Sequence, residues 1–278
     1  MTVDFTKFPY PGLHNPHAAT LTEGIAAAPV PAGFAVVTLK GPHISDFSDR
    51  VRAFATALRA KAASSGVTDI TAYRQIRRNE LGGAVPFDQA ICETALHDAE
   101  QLHIEKFLGV PVAQMMLNNA IADWALIVEF QSPEHATVAA QVWKRKGEEF
   151  EILTRDVTSF SVGTFKNMMR YSSVSRDPNL IQFFNFFPGP SKPEVLWPAW
   201  QEALPWFFDI GEIRSSFPLQ ALDADQQLAL INYAHFDSVK HFIIGILYDP
   251  RYQKIIKECY ADRGVLLPMP FFCKIVPV

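Results

Sequence analysis

Two side chains that can move protons lie on one predicted strand near the end of the chain. The strand reads Ala229-Leu-Ile-Asn-Tyr-Ala-His-Phe236 and places Tyr233 and His235 on the same face, because successive side chains of a strand point to opposite sides. An imidazole, with an unperturbed pKa of about 6.5, suits a general base, and a phenol can protonate a developing oxyanion. A histidine at a strand end can also bond a loop carbonyl. His235, assisted by Tyr233, is the leading catalytic candidate.

A second predicted strand is rich in phenylalanine. It reads Gln182-Phe-Phe-Asn-Phe-Phe187, so Phe184 and Phe186 share a face with Gln182 while Asn185 lies on the other face. A buried amide needs a hydrogen-bond partner, so Asn185 either bonds within the core or orients a substrate. The chain has 22 phenylalanines, which fill a core or line an apolar pocket. We expect Phe184, Phe186 and Asn185 to contact a substrate.

Further candidates come from other strand ends. Lys40 and His43 end the first predicted strand, where a buried lysine with a lowered pKa could act as a base, although an exposed lysine is commoner. Tyr73 and Arg77 share a face of the second strand. Arg77 and Arg214 could bind a substrate carboxylate through bidentate hydrogen bonds, or they could be surface charges.

The elements that would position these residues occur in an order that repeats. A first half at 33–170 and a second half at 178–278 each read strand, helix, strand, strand, helix, strand. The first half carries an inserted helix at about 88–108, and 1–32 is a proline-rich arm. The predicted strands are 34–39, 68–77, 124–130, 158–166, 180–187, 208–217, 229–236 and 271–276.

A short internal repeat supports this division. Phe130-Gln-Ser-Pro-Glu-His135 matches Phe236-Asp-Ser-Val-Lys-His241 at an offset of 241 − 135 = 106 residues. In each copy a strand ends in Phe and a serine follows where a helix N-cap belongs, so the histidine three residues later is expected to be structural. The same offset aligns Glu129 with His235, and we expect Glu129 on the matching face of the first half.

Composition excludes several kinds of partner. The net charge is −4 and 19% of residues are charged, without the cationic excess that a nucleic acid requires. No apolar run reaches the roughly 20 residues of a membrane span, and the N-terminus lacks a leader pattern, so we expect a cytoplasmic protein. Three widely spaced cysteines form no C-x-x-C pair and predict no metal site. Gly-rich nucleotide motifs and G-x-S-x-G are absent.

The C-terminal region resembles a known family. Phe236-Asp-Ser-Val-Lys-His241, followed by Tyr248-Asp-Pro-Arg-Tyr-Gln253 and Arg263, is similar to the second half of dimeric α/β-barrel proteins. The resemblance implies an α+β fold in which two ferredoxin-like βαββαβ halves form an intramolecular dimeric α/β barrel. That superfamily includes cofactor-free monooxygenases, cyclases, isomerases and lyases, besides haem enzymes, and its members often pair further into homodimers. Fold alone does not select among these activities.

The sequence leaves three functions open. The preferred one is a cofactor-independent lyase, dehydratase or cyclase that uses acid/base catalysis on a small, apolar, aromatic substrate, because no activated nucleophile is visible in the sequence. The second is a haem-dependent dehydratase or peroxidase-like enzyme of the same fold, with His235 or His241 as axial ligand. The third is a non-catalytic protein that binds a small ligand.

Overall fold

Eight antiparallel strands close into a barrel in the computed structural model of this chain. The structure describes residues 33–41, 46–76, 122–145, 148–168, 177–188, 193–209, 213–223, 226, 228–236, 255–265 and 269–278. The strands are β1 (Gly33–Lys40), β2 (Val67–Gln75), β3 (Trp124–Phe130), β4 (Ser159–Asn167), β5 (Ile181–Pro188), β6 (Ile213–Ala221), β7 (Leu228–Phe236) and β8 (Met269–Val276). With one exception, the predicted strands match these bounds within two residues, and the predicted α+β class is confirmed.

Helices occupy the connections between strands. They are α1 (Phe47–Ala60), α2 (Ala62–Ser65), α3 (Pro133–Lys144), α4 (Glu148–Thr154) and α5 (Pro193–Asp209), followed by a π-helical turn at Ile256–Tyr260 and a 3₁₀ turn at Ala261–Arg263. Within the described ranges, no helix is both long enough and apolar enough to cross a membrane.

The strand order of the first four strands recurs in the last four. Around the barrel the order is β1-β3-β2-β8-β5-β7-β6-β4, so β4-β1-β3-β2 corresponds to β8-β5-β7-β6. Pairing of β2 with β8 and of β4 with β6 joins the two sets and closes the barrel. Three predicted elements fall outside the described residues: the arm at 1–32, the inserted helix at about 88–108 and the start of the last helix of the second half. Two complete ferredoxin-like halves therefore stay a prediction.

The spacing of apolar residues explains why α1 forms and how it packs. Phe47, Val51, Phe54 and Leu58 recur every three or four residues, and all four are buried against the outer face of the first-half strands. The ring of Phe54 meets Trp143 of α3 edge-on, with centroids 5.6 Å apart. Aromatic pairs of this geometry add to the free energy gained by burying their area.

The start of α3 is fixed by its predicted cap. The Ser132 hydroxyl accepts a hydrogen bond from the His135 backbone N–H at 3.3 Å and also lies 3.0 Å from His135 Nδ1. Pro133 occupies the first turn, where its missing N–H leaves no bond unmade. Gly66 has a φ of +69°, which favours glycine, and a Cβ there would lie 2.6 Å from His135 Cγ and displace that ring. The structural reading of His135 is confirmed.

One expectation about the elements was wrong, and one helix was not anticipated. The strand predicted at 208–217 begins at 213, because α5 continues to Asp209. Its buried residues recur at helical spacing, namely Leu196, Ala199, Trp200, Ala203, Leu204 and Phe207, and this outweighs the strand preference of the aromatic run. The sequence pattern also did not predict α4, whose Phe150 and Leu153 are buried on the first-half core.

Candidate active site

Strand alternation separates the side chains into two layers. One layer faces the helices, and the other faces the barrel interior. All eight strands contribute to the interior layer, which is drawn from both halves of the chain. Its strand residues are Phe34, Val36, Tyr73, Ala125, Ile127, Phe165, Phe184, Phe186, Phe217, Leu219, Leu228, Ile231, Tyr233, Phe271 and Cys273. The predicted candidates Tyr73, Phe184, Phe186 and Tyr233 therefore lie together inside the barrel.

Aromatic rings from both halves meet at the centre of this layer. Phe184 stacks on Tyr233, with centroids 4.7 Å apart and planes 13° apart, and on Phe186 at 5.7 Å. Tyr73, from the first half, meets Phe184 edge-on at 4.8 Å. Tyr73 and Tyr233 are both buried, so polar contacts between their hydroxyl groups are shielded from bulk water and are stronger there.

A chain of hydrogen bonds runs through these rings. The Tyr73 hydroxyl donates to the Tyr233 hydroxyl oxygen at 2.8 Å, and the Tyr233 hydroxyl donates to Gln182 Oε1 at 3.0 Å. Burial, and next the neighbouring Tyr233, raise the pKa of Tyr73 well above its ordinary value. Tyr73 therefore stays protonated at physiological pH and remains available as a donor.

The predicted base lies beside this chain. His235 is 6% exposed, and its Nδ1 is 2.6 Å from the hydroxyl oxygen of the fully buried Ser215. In the strand register His235 is opposite Ser215 on β6 and opposite Gln182 on β5. His235 and Tyr233 lie on the same face of β7, as predicted. The tautomer of the imidazole decides whether Nδ1 donates to or accepts from the serine.

Gln182 and Cys273 complete the buried polar group. The Cys273 thiol donates to the Gln182 backbone carbonyl at 3.6 Å, and burial raises the pKa of this thiol, so it stays neutral. The Gln182 side chain is fully buried, and its Nε2 has no hydrogen-bond partner among the described residues. An amide nitrogen in that situation is uncommon in folded proteins.

Three other candidates lie outside this group. Asn185 alternates with Phe184 and Phe186 and so faces away from the barrel interior, where its register neighbour is Asn232. Glu129 is half-buried on the interior side of β3. Lys40 is half-buried at the end of β1, opposite Ser159 of β4, and β1 borders neither β5 nor β7.

Three candidates are not placed by the structure. His43 and Arg77 lie outside the described residues, and Arg214 belongs to β6 but its side chain lies outside them too. Within the ranges that the structure describes, no three His, Cys, Asp or Glu side chains are grouped so that they could hold a metal ion. What the described site offers is an imidazole, hydroxyl and amide donors, and an aromatic surround.

Sequence reasoning missed three members of the site, namely Gln182, Ser215 and Cys273. Gln182 shares the face of Phe184 and Phe186, and a polar side chain at the end of an apolar stripe was the available signal. Ser215 carried no such signal, because the strand containing it was predicted to begin five residues too early. Its contact with His235 depends on the β6–β7 register, which the sequence does not display.

Comparison with known proteins concerns the fold. No protein-family model matches the sequence, and no curated protein sequence matches it either. A crystal structure of an anthrone oxidase-like protein is similar, with a TM-score of 0.57 and 11% identity, over 89% of this chain and 92% of that one. A proposed monooxygenase from Lactobacillus acidophilus NCFM aligns with a TM-score of 0.45 and 10% identity, over 88% of this chain and 94% of its own. The chain thus shares its barrel fold with the first of these proteins.

Proposed function

We propose that this chain is an enzyme that moves protons on a small, apolar, aromatic substrate inside the barrel. The reaction class is that of a lyase, dehydratase or cyclase, and the proposal requires neither a metal nor an organic cofactor. The observation that carries it is the pairing of a buried imidazole, His235, with Ser215, beside the Tyr73–Tyr233–Gln182 chain in an otherwise aromatic interior. Groups with these properties supply acid/base catalysis where water is excluded.

In this proposal His235 is the base. When Nδ1–H donates to the Ser215 hydroxyl oxygen, Nε2 carries the lone pair and can take a proton from a substrate carbon. The C–H bond breaks, an N–H bond forms at Nε2, and the electron pair moves to an electron-accepting group of the substrate. Ser215 positions the ring and stabilises the imidazolium that forms, in the manner of the third group of a catalytic triad.

The aromatic layer sets the substrate class. Phe184 and Phe186 present flat apolar surfaces of a kind that stacks on another ring. The neutral Tyr73 hydroxyl adds no charge to the interior, and a charged substrate would be costly to bring there. A planar, uncharged arene meets both conditions.

Isotope exchange tests the proposal without knowledge of the natural substrate. 2-Tetralone, an aromatic ketone, exchanges the hydrogens beside its carbonyl with D₂O, and ¹H NMR follows the loss of their signal. We expect the protein to accelerate this exchange and His235→Ala to reduce the acceleration by about 100-fold or more, as for loss of a general base. His135→Ala is the matched control and should leave the rate unchanged. No acceleration by the unmodified protein, or full acceleration by His235→Ala, contradicts the proposal.

A further inference from the structure

Two buried glutamines in this molecule differ in how their amides are used. Gln226 accepts from the Thr164 backbone N–H at 3.0 Å and donates to the Thr164 carbonyl at 3.1 Å, so both ends of its amide are satisfied by β4. Gln182 accepts from Tyr233 through Oε1, while its Nε2 has no partner within the described part of the chain. Of the two amide nitrogens, the one of Gln182 lacks a hydrogen-bond acceptor among the described residues.

The hydrogen bonds that lead to Gln182 all run in one direction. Tyr73 donates to Tyr233, and Tyr233 donates to Gln182 Oε1, so each oxygen in the chain receives a proton from the one before it. This order fixes Oε1 as the acceptor and leaves Nε2–H₂ as the end of the chain that can donate. Hydrogen bonds in series polarise one another, so the last donor is a stronger one than an isolated amide.

An unpaired buried N–H destabilises a fold unless a partner is supplied. The apolar neighbours of Gln182 cannot supply one, because Phe184 and Phe186 on the same strand face have no acceptor. An oxygen atom of a bound ligand can accept this hydrogen bond. Gln182 is also the register neighbour of His235, and cross-strand neighbours lie about 5 Å apart at Cβ. A small molecule bound between the two side chains would contact both.

We infer that Gln182 anchors the oxygen of the substrate, and that the ligand class is a small arene bearing a carbonyl or a hydroxyl group. The inference rests on the proposed function, since it concerns the same interior site. Nε2–H donates to the substrate oxygen and holds the ring against Phe184. As His235 withdraws a proton from the adjacent carbon, negative charge grows on that oxygen and the Gln182 bond to it strengthens. Gln182 thus contacts the reacting group, and the tyrosines position Gln182.

Binding of two matched probes tests this anchor. 2-Tetralone and tetralin have nearly the same shape, and only the first has an oxygen. By equilibrium dialysis we expect the protein to bind 2-tetralone about tenfold or more tightly than tetralin, because a site with a buried donor rejects an analogue that cannot pair with it. Gln182→Met, which conserves volume, should remove this preference while leaving tetralin affinity within about twofold.

Gln226→Met is the matched control. It also removes a buried amide, but one that bonds to the backbone of β4, so it should lower the melting temperature and leave the probe preference intact. Thermal unfolding checks that each variant is folded, and Gln182→Leu replaces Gln182→Met if the latter is not. Retention of the preference for 2-tetralone in a folded Gln182 variant overturns the inference.

The outcomes separate this inference from the proposed function. If the preference persists without Gln182 while His235-dependent exchange of 2-tetralone is observed, the anchor is wrong and the proton chemistry stands. If the preference depends on Gln182 but no exchange occurs, the anchor stands and the protein binds its ligand without catalysis. If the unmodified protein binds neither probe, the interior does not admit arenes and both are wrong.

Discussion

Two serine–histidine pairs in this molecule use the same atoms in opposite surroundings. Ser132 Oγ lies 3.0 Å from His135 Nδ1 at the exposed start of α3, and Ser215 Oγ lies 2.6 Å from His235 Nδ1 inside the barrel. In water the first contact competes with solvent, and its main effect is to cap a helix. Out of water the second contact is stronger and orients a base. The surroundings, rather than the residue types, decide what a pair can do.

The two pairs also form in different ways. Ser132 and His135 are three residues apart, and one turn of helix brings them together. Ser215 and His235 are 20 residues apart in sequence and meet only because β6 and β7 pair in a particular register. A local pair of this kind tolerates change elsewhere in the chain. The buried pair depends on the whole barrel.

The largest difference between the pairs should appear when each serine loses its hydroxyl. Ser215→Ala leaves His235 without the group that orients it, and we expect the rate of 2-tetralone exchange to fall by about tenfold or more, with a shift in its pH profile. The free energy of unfolding should also fall by about 1 to 3 kcal/mol, because a buried nitrogen loses its partner. Exchange measured by NMR and unfolding in urea check the two effects.

Two other serines are the controls for that change. Ser216 is buried next to Ser215 but faces the other way and donates to Asn232 Oδ1 at 2.6 Å, so Ser216→Ala should lower stability and leave exchange unchanged. Ser132→Ala removes the α3 cap and should cost about 1 kcal/mol of unfolding free energy, again with unchanged exchange. A fall in exchange rate that is equal in Ser215→Ala and Ser216→Ala would mean that the Ser215 effect is one of stability only.

Part of this contrast could be predicted from the sequence. Alternation along β7 and β5 predicted that His235 shares a face with Tyr233 and that Phe184 shares one with Phe186, because period-two patterns are local. The Ser132 cap was predicted for the same reason. The sequence did not predict the Ser215–His235 contact or the unpaired Gln182 amide. Both depend on which strands become neighbours in the closed barrel.

A smaller effect should distinguish the dry interior from the surface at high pH. The pKa of Tyr73 is raised in the folded state, so above the ordinary tyrosine value of 10.0 the unfolded chain releases this proton while the folded chain keeps it. The contribution of Tyr73 to stability is thus complete below about pH 10 and is lost as the pH rises further, with a slope of up to about 1.4 kcal/mol per pH unit. Tyr73→Phe should make the decline between about pH 10 and 11.5 less steep in urea unfolding. Equal slopes in the two proteins would show that Tyr73 is not shielded from water.

In the proposed function the buried pair, and not the exposed one, contacts the substrate. The most direct test is a titration of ¹⁵N-histidine-labelled protein with 2-tetralone, with the ring signals of His235 and His135 identified from His235→Ala and His135→Ala spectra. We expect the signals of the His235 ring nitrogens to shift on binding while those of His135 stay in place. Shifts at His135, or none at His235 when the ligand is bound, would contradict it.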